Sequence, residues 1–60
     1  MKLLKLESSK RNTVFVNPES ITAIEEQDDT HTLIYLSGNT ISVIGNVFKI
    51  TEKVASEVEF

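Results

Sequence analysis

The side chains best suited to chemistry in this sequence are one histidine and the carboxylates just before it. Glu25, Glu26, Asp28 and Asp29 place four negative charges within five positions, and His31 follows. A metal or acid–base site needs further His or Cys ligands or a partner nucleophile, and the chain has neither a second His nor a Cys. The acidic run also lacks the glycine and the spacing of an EF-hand loop. We therefore expect a solvated turn, or a contact for a basic partner, with no catalytic, cofactor or metal site and no enzymatic activity.

Positive charge is concentrated near the N-terminus. Four basic side chains lie within the first eleven residues: Lys2, Lys5, Lys10 and Arg11. They support an alternative function, that of a phage- or mobile-element-encoded small regulator binding nucleic acid through these residues. However, nine Asp and Glu against six Lys and Arg give the chain a net charge of −3. Nucleic acid is therefore an unlikely partner, because readers of nucleic acid are generally basic.

The length limits the kind of fold that positions these residues. Sixty residues, 40% of them hydrophobic, make a single domain over 1–60. Such a chain buries only about 60% of its unfolded surface, and without Cys it has no disulfide to reinforce it. Self-association is the simplest further source of stability, so a homo-oligomer or a complex with another protein is predicted. No apolar run approaches the ~20 residues of a membrane span or forms a signal peptide, and a cytoplasmic location is expected.

Alternation of polar and apolar residues predicts five short strands. They span 2–7, 13–17, 22–26, 30–36 and 40–44. The polar segments 8–12, 17–20, 27–29 and 37–39 separate them and contain the turn-forming Asn, Pro, Asp and Gly residues. Short strands joined by short turns favour antiparallel hairpins.

A different period follows Gly45 and predicts an amphipathic C-terminal helix. The apolar stripe is formed by Val47, Ile50, Val54 and Val58. Asn46 is the expected N-cap, and Thr51 is the alternative, which would leave 46–50 as a connection. The predicted fold is therefore a β-rich α+β domain of five short antiparallel strands, a bent sheet or half-open small barrel, with one C-terminal helix.

The apolar residues divide into two sets. The first can form the core and comprises Leu4, Leu6, Val14, Val16, Ile24, Ile34, Leu36, Ile41 and Val43. The second has no obvious place in that core and comprises Leu3, Phe15, Leu33, Tyr35, Ile44 and Phe48. Part of the second set must meet the helix, where Phe48 fits the core side, and the rest is available for contact with a partner. The predicted interface residues are Phe15, Leu33, Tyr35 and Phe48.

The order of short motifs is also informative. Val16 and Asn17 begin a V-N-x-x-x-I-x-x-I-E segment, which is followed by Asp29-Thr30, a strand, Gly38 and a terminal helix. This order covers most of the chain and resembles the FlbD/SwrD family of small bacterial flagellar and swarming-motility proteins. The resemblance implies a motility-related role. The function predicted is that of a small, non-enzymatic protein-interaction module.

Overall fold

Five strands and one helix make up the computed structural model, which describes residues 3–57. The elements are β1 (Leu4–Glu7), β2 (Thr13–Val16), a 3-10 turn (Pro18–Ser20), β3 (Ile21–Asp28), β4 (His31–Leu36), β5 (Asn39–Ile44) and α1 (Val47–Glu57). The predicted β-rich α+β class, with antiparallel strands and a C-terminal helix, is confirmed. The predicted strand start at Lys2 and the helix residue Val58 lie outside the described residues.

The strands form two antiparallel sheets rather than one. β1 pairs with β2, and β3, β4 and β5 form a second sheet in that order. A bridge between Ser8 and Val43, with a 2.9 Å hydrogen bond from the Ser9 N–H to the Ser42 carbonyl, joins the sheets. The combined order is therefore β3-β4-β5-β1-β2. Within residues 3–57, β2 and β3 do not pair with each other, so the barrel is not closed.

The β1–β2 connection, residues 8–12, contains a three-residue loop, 9–11, which is closed by Ser8 and Asn12. The Arg11 N–H donates to the Ser8 carbonyl and the Ser8 N–H donates to the Asn12 carbonyl, both at 2.8 Å. Arg11 has a φ of 67°, the left-handed conformation that such loops require at their last position. Glycine or asparagine usually occupies this position, because a Cβ makes the conformation costly.

The β3–β4 turn lies later than the sequence predicts. β3 continues through Asp28, which pairs with His31, and only Asp29 and Thr30 form the loop. The predicted turn over 27–29 is therefore wrong by one to two residues. The reason is local: the Asp28 carboxylate accepts the Thr30 N–H at 2.8 Å and closes the chain tightly. An irregularity in the pairing near Gln27 adds the twist that this tight loop needs.

The helix begins where its N-cap is predicted. The Asn46 side chain accepts the Phe48 N–H at 2.9 Å, and the Asn46 carbonyl accepts the Ile50 N–H at 3.0 Å. The alternative start at Thr51 is wrong. Gly45, just before the cap, has a φ of 142°, and a Cβ there would lie 2.9 Å from the Ile50 Cδ1. Glycine thus lets the chain turn closely over a buried side chain.

The core lies between the two sheets and the helix. Its buried apolar residues are Leu4, Leu6, Val16, Ile34, Val43 and Ile50. Half-buried residues pack around it, namely Val14, Ile21, Leu36, Ile41 and Val54. Four residues of the predicted core set are therefore only half-buried: Val14, Ile24, Leu36 and Ile41. One polar residue is fully buried with them: Thr32 donates its hydroxyl to the Gly45 carbonyl at 2.8 Å, tying β4 to the helix entry.

Candidate interaction surface

Phe15 is the most prominent side chain of the two-stranded sheet. It is 63% exposed on β2, and Leu3, just before β1, is 55% exposed. Phe15 pairs with Lys5 in the register. Both side chains point away from the core, because the residues before and after them in each strand face it. The sheet therefore presents apolar groups and a positive charge outward, although large apolar side chains are ordinarily buried.

The backbone at the outer edge of β2 is unpaired within residues 3–57. In an antiparallel pair, residues alternate between those that bond to the neighbouring strand and those that do not. The Ser8 N–H donates to the Asn12 carbonyl. In steps of two from Asn12, Val14 and Val16 of β2 therefore bond to β1. Thr13 and Phe15 therefore direct their N–H and C=O groups away from β1. An open groove of about 450 Å³ separates β2 from the β4–β5 turn.

Phe48 is the most exposed large apolar side chain within residues 3–57, at 79%. The sequence alternative that placed it on the core side of the helix is wrong. Ile50 is the buried residue of α1 and Val54 packs beside it, so Phe48, two positions before Ile50, lies off the buried stripe. Beside the same helix, a groove of about 420 Å³ runs between α1 and β3.

Leu33 and Tyr35 are half-buried on the outer face of the three-stranded sheet. The Tyr35 hydroxyl donates to the Glu25 carboxylate at 2.7 Å, and the Ser42 hydroxyl donates to the Gln27 side chain at 2.6 Å. The hydrogen bond to Glu25, with some desolvation, raises the pKa of Tyr35 above its ordinary value. Polar bonds between strands thus occupy much of this face, which differs from the open surface around Phe15.

His31 belongs to a small polar cluster at the β3–β4 turn. Its Nδ1 lies 3.0 Å from the Asp28 carboxylate and 2.9 Å from the Thr30 hydroxyl. The Thr30 N–H and the His31 contact stabilise the ionised carboxylate and lower the pKa of Asp28. The side chains of the cluster bond to one another and close the turn. In the part of the chain that the structure describes, no three His, Asp or Glu side chains meet in a way that would hold a metal ion.

The basic residues are spread along the β1–β2 hairpin. Lys5 lies on its outer face opposite Phe15, and Lys10 and Arg11 form the tip. Lys2 lies outside the described residues. The structure therefore brings Lys5 and Phe15 together, while the tip holds the other positive charges.

The outer edge of β2 is the feature that sequence reasoning did not identify. Strand order depends on the Ser8–Val43 bridge between residues far apart in the chain, and no local pattern specifies it. The exposed Phe15 in a short uncharged strand is the one signal that pointed to this region.

Comparison with known proteins adds no relative. No protein-family model matches the chain, and neither the curated proteins nor the solved structures give a match. Within residues 3–57, no helix combines the length and the apolar character needed to cross a bilayer.

Proposed function

We propose that this chain is a small, non-enzymatic protein-interaction module whose main contacts are Phe15 and Phe48. The observation that carries the proposal is their exposure, 63% and 79%, in a chain whose core is already filled by other residues. Removing such aromatic surface from water is a large source of binding free energy, and aromatic residues are enriched at interfaces. Leu33 and Tyr35 supply a secondary, half-buried contact on the three-stranded sheet.

Photo-crosslinking in the native cell tests this function. A photoreactive benzophenone amino acid replaces Phe15 or Phe48, and Ser56, an exposed residue of α1 eight positions beyond Phe48, serves as the control. We expect protein adducts from position 15 or 48 and none from position 56. An adduct of twice the chain mass identifies a second copy, and a different mass identifies another protein. Absence of adducts from both aromatic positions would overturn the interaction function.

The resemblance to the FlbD/SwrD family supports placing this module in bacterial motility. Deletion of the gene should then reduce spreading in soft agar, and the wild-type chain should restore it. A chain carrying Phe15→Ser and Phe48→Ser should fail to restore spreading, while Thr40→Ser should succeed. Normal spreading after deletion would remove the motility role and leave the interaction role to the crosslinking result.

Nucleic-acid binding is a second candidate, favoured by one observation. Lys5 lies opposite the exposed Phe15, and Lys10 and Arg11 lie at the tip of the same hairpin, so an aromatic ring and positive charges share one surface. Fluorescence anisotropy with a labelled single strand tests it. Binding that falls steeply with salt and is lost in Lys10→Glu would establish it, since phosphate contacts release counterions. Salt-indifferent association would favour the protein interface.

A further inference from the structure

We propose that two copies of this chain pair through the outer edges of β2, antiparallel, with the two Phe15 residues directly opposite each other. This inference rests on the proposed interaction function and names the partner as a second copy. The pairing would extend the combined strand order β3-β4-β5-β1-β2 into a continuous arrangement across a two-fold axis. Adding a strand to an exposed edge is a common mode of recognition, because it satisfies backbone groups already arranged to bond.

The backbone of β2 has the geometry that this pairing needs. Thr13 and Phe15 direct their N–H and C=O groups outward, as the alternation from the Ser8–Asn12 bond requires. Asn17, the next residue in that alternation, is also extended, with φ −75° and ψ 111°. Two copies centred on Phe15 therefore exchange hydrogen bonds between the Phe15 residues, and the Thr13 carbonyl of each copy accepts the Asn17 N–H of the other. The Asn17 carbonyl already accepts the Ser20 N–H of its own chain at 2.9 Å. Pro18, which has no N–H, begins the 3-10 turn beyond this ladder and removes no bond from it.

The side chains favour this register over its neighbours. With Phe15 on the axis, the two exposed rings become a cross-strand aromatic pair, which stabilises antiparallel strands. A register centred one residue earlier would place Phe15 opposite Thr13 and would lose this aromatic pair.

The overall charge distribution agrees with a symmetric pair. The acidic residues of β3 and its turn, Glu25, Glu26, Asp28 and Asp29, lie at the opposite end of the strand order from β2. Pairing through β2 therefore does not place these groups on the shared edge. The other free edge, β3, has pairing irregularities near Thr22 and Gln27, which are features that block regular addition of a strand.

The size of the contact sets its strength. β2 is four residues long, and the exposed surface of the described chain totals 4343 Å². A standard stable interface buries about 800 Å² on each partner, which a four-residue edge with one aromatic does not reach. We therefore expect a reversible dimer whose population depends on concentration, and the experiments need a series that extends to high concentration.

Cysteine crosslinking tests the pairing and its register, because the natural chain has no Cys. Directly opposed residues in a hydrogen-bonded antiparallel pair lie about 5.5 Å apart between Cα atoms, within the range of a disulfide. We expect Phe15→Cys to form a disulfide dimer under mild oxidation. Thr13→Cys alone should not, because its counterpart lies roughly four residues, about 13 Å, along the strand. A mixture of Thr13→Cys and Asn17→Cys chains should crosslink to each other.

Molar mass by light scattering provides an independent readout. The wild-type mass should rise from one subunit toward two across the concentration series, with little effect of salt. Phe15→Lys should hold it at one subunit, and Ser56→Lys, a control at an exposed position of α1, should leave the rise intact. Circular dichroism establishes that each variant remains folded, which the exposure of both side chains leads us to expect.

Three results would overturn the β2 pairing. They are a wild-type mass of one subunit throughout, a Phe15→Cys disulfide that forms no faster than that of Thr13→Cys, or a rise in mass that Phe15→Lys leaves intact. In each case the photo-crosslinking result still tests the interaction function, independently of a second copy. An adduct of a different protein at position 15 would retain the interaction function and reject the second copy as its partner.

Discussion

The two sheets of this small protein treat their outer faces and free edges differently. On the three-stranded sheet, hydrogen bonds from Tyr35 to Glu25 and from Ser42 to Gln27 occupy the outer face, and irregularities interrupt its free edge strand β3. The two-stranded sheet exposes Phe15 and ends in a short, regular strand without charge. The contrast concerns the outer faces, since both sheets supply core residues: polar bonds cover the outer face of the larger sheet, and the smaller sheet presents an apolar surface.

The largest expected effect concerns the core of the three-stranded sheet. Ile34 is fully buried in β4, so Ile34→Ala should lower the free energy of unfolding by about 3 kcal/mol or more, through lost burial and a residual cavity. The matched change beside the other sheet is Leu3→Ala, just before β1 at a residue 55% exposed, and it should alter stability by less than about 0.5 kcal/mol. Urea denaturation measures both. Equal losses would contradict the difference in burial between the two side chains.

The next effect concerns the buried hydroxyl of the same strand. Thr32→Val keeps the shape of the side chain but leaves the Gly45 carbonyl without its 2.8 Å donor, at a cost of about 2 kcal/mol. Thr40→Val, at an exposed position of β5, is the control and should change stability by no more than about 0.5 kcal/mol. Thermal denaturation followed by circular dichroism compares them. A neutral Thr32→Val would show that packing alone joins β4 to the helix entry.

A smaller effect of opposite sign is expected on the two-stranded sheet. Arg11 has a φ of 67°, so Arg11→Gly relieves backbone strain and should stabilise the chain by roughly 0.5 to 1 kcal/mol. Lys10→Gly, at a neighbouring position without positive φ, should give no gain. The free energies of unfolding are best measured at low concentration, where self-association is absent. Destabilisation by Arg11→Gly would mean that the arginine side chain contributes more than its backbone costs.

The smallest effect is a pH dependence at the β3–β4 turn. Bonds from the Thr30 N–H and His31 hold the pKa of Asp28 below its ordinary value in the folded chain. A lowered folded pKa adds stability above the unfolded value, about 3.9, and this contribution is lost as pH falls through the folded pKa. The Asp28→Asn variant should therefore lose less stability than the wild type over that acidic range. An NMR titration of the Asp28 carboxyl carbon checks the direction, and an upward shift would contradict it.

Local patterns in the sequence predict the elements better than their arrangement. Alternation identifies the strands, and Asn46 as N-cap together with the helical stripe identifies α1, because each depends on residues close in the chain. The end of β3 is misplaced, since the Asp28 side chain completes the turn only in the folded geometry. The same limit applies to the candidate surface. The sequence predicts Phe15 as an interface residue, but its position beside a free strand edge depends on the order of all five strands.

The joint between the two sheets has a consequence for how the molecule opens. The bridge at Ser8 and Val43, with the bond from the Ser9 N–H to the Ser42 carbonyl, joins them, while Pro18–Ser20 connects β2 to β3. Leu4, Leu6 and Val16 of the β1–β2 hairpin are half of the buried apolar core, so separation of the hairpin exposes that core and approaches global unfolding. Two crowded copies that trade hairpins keep this burial, which makes the joint the site of domain swapping.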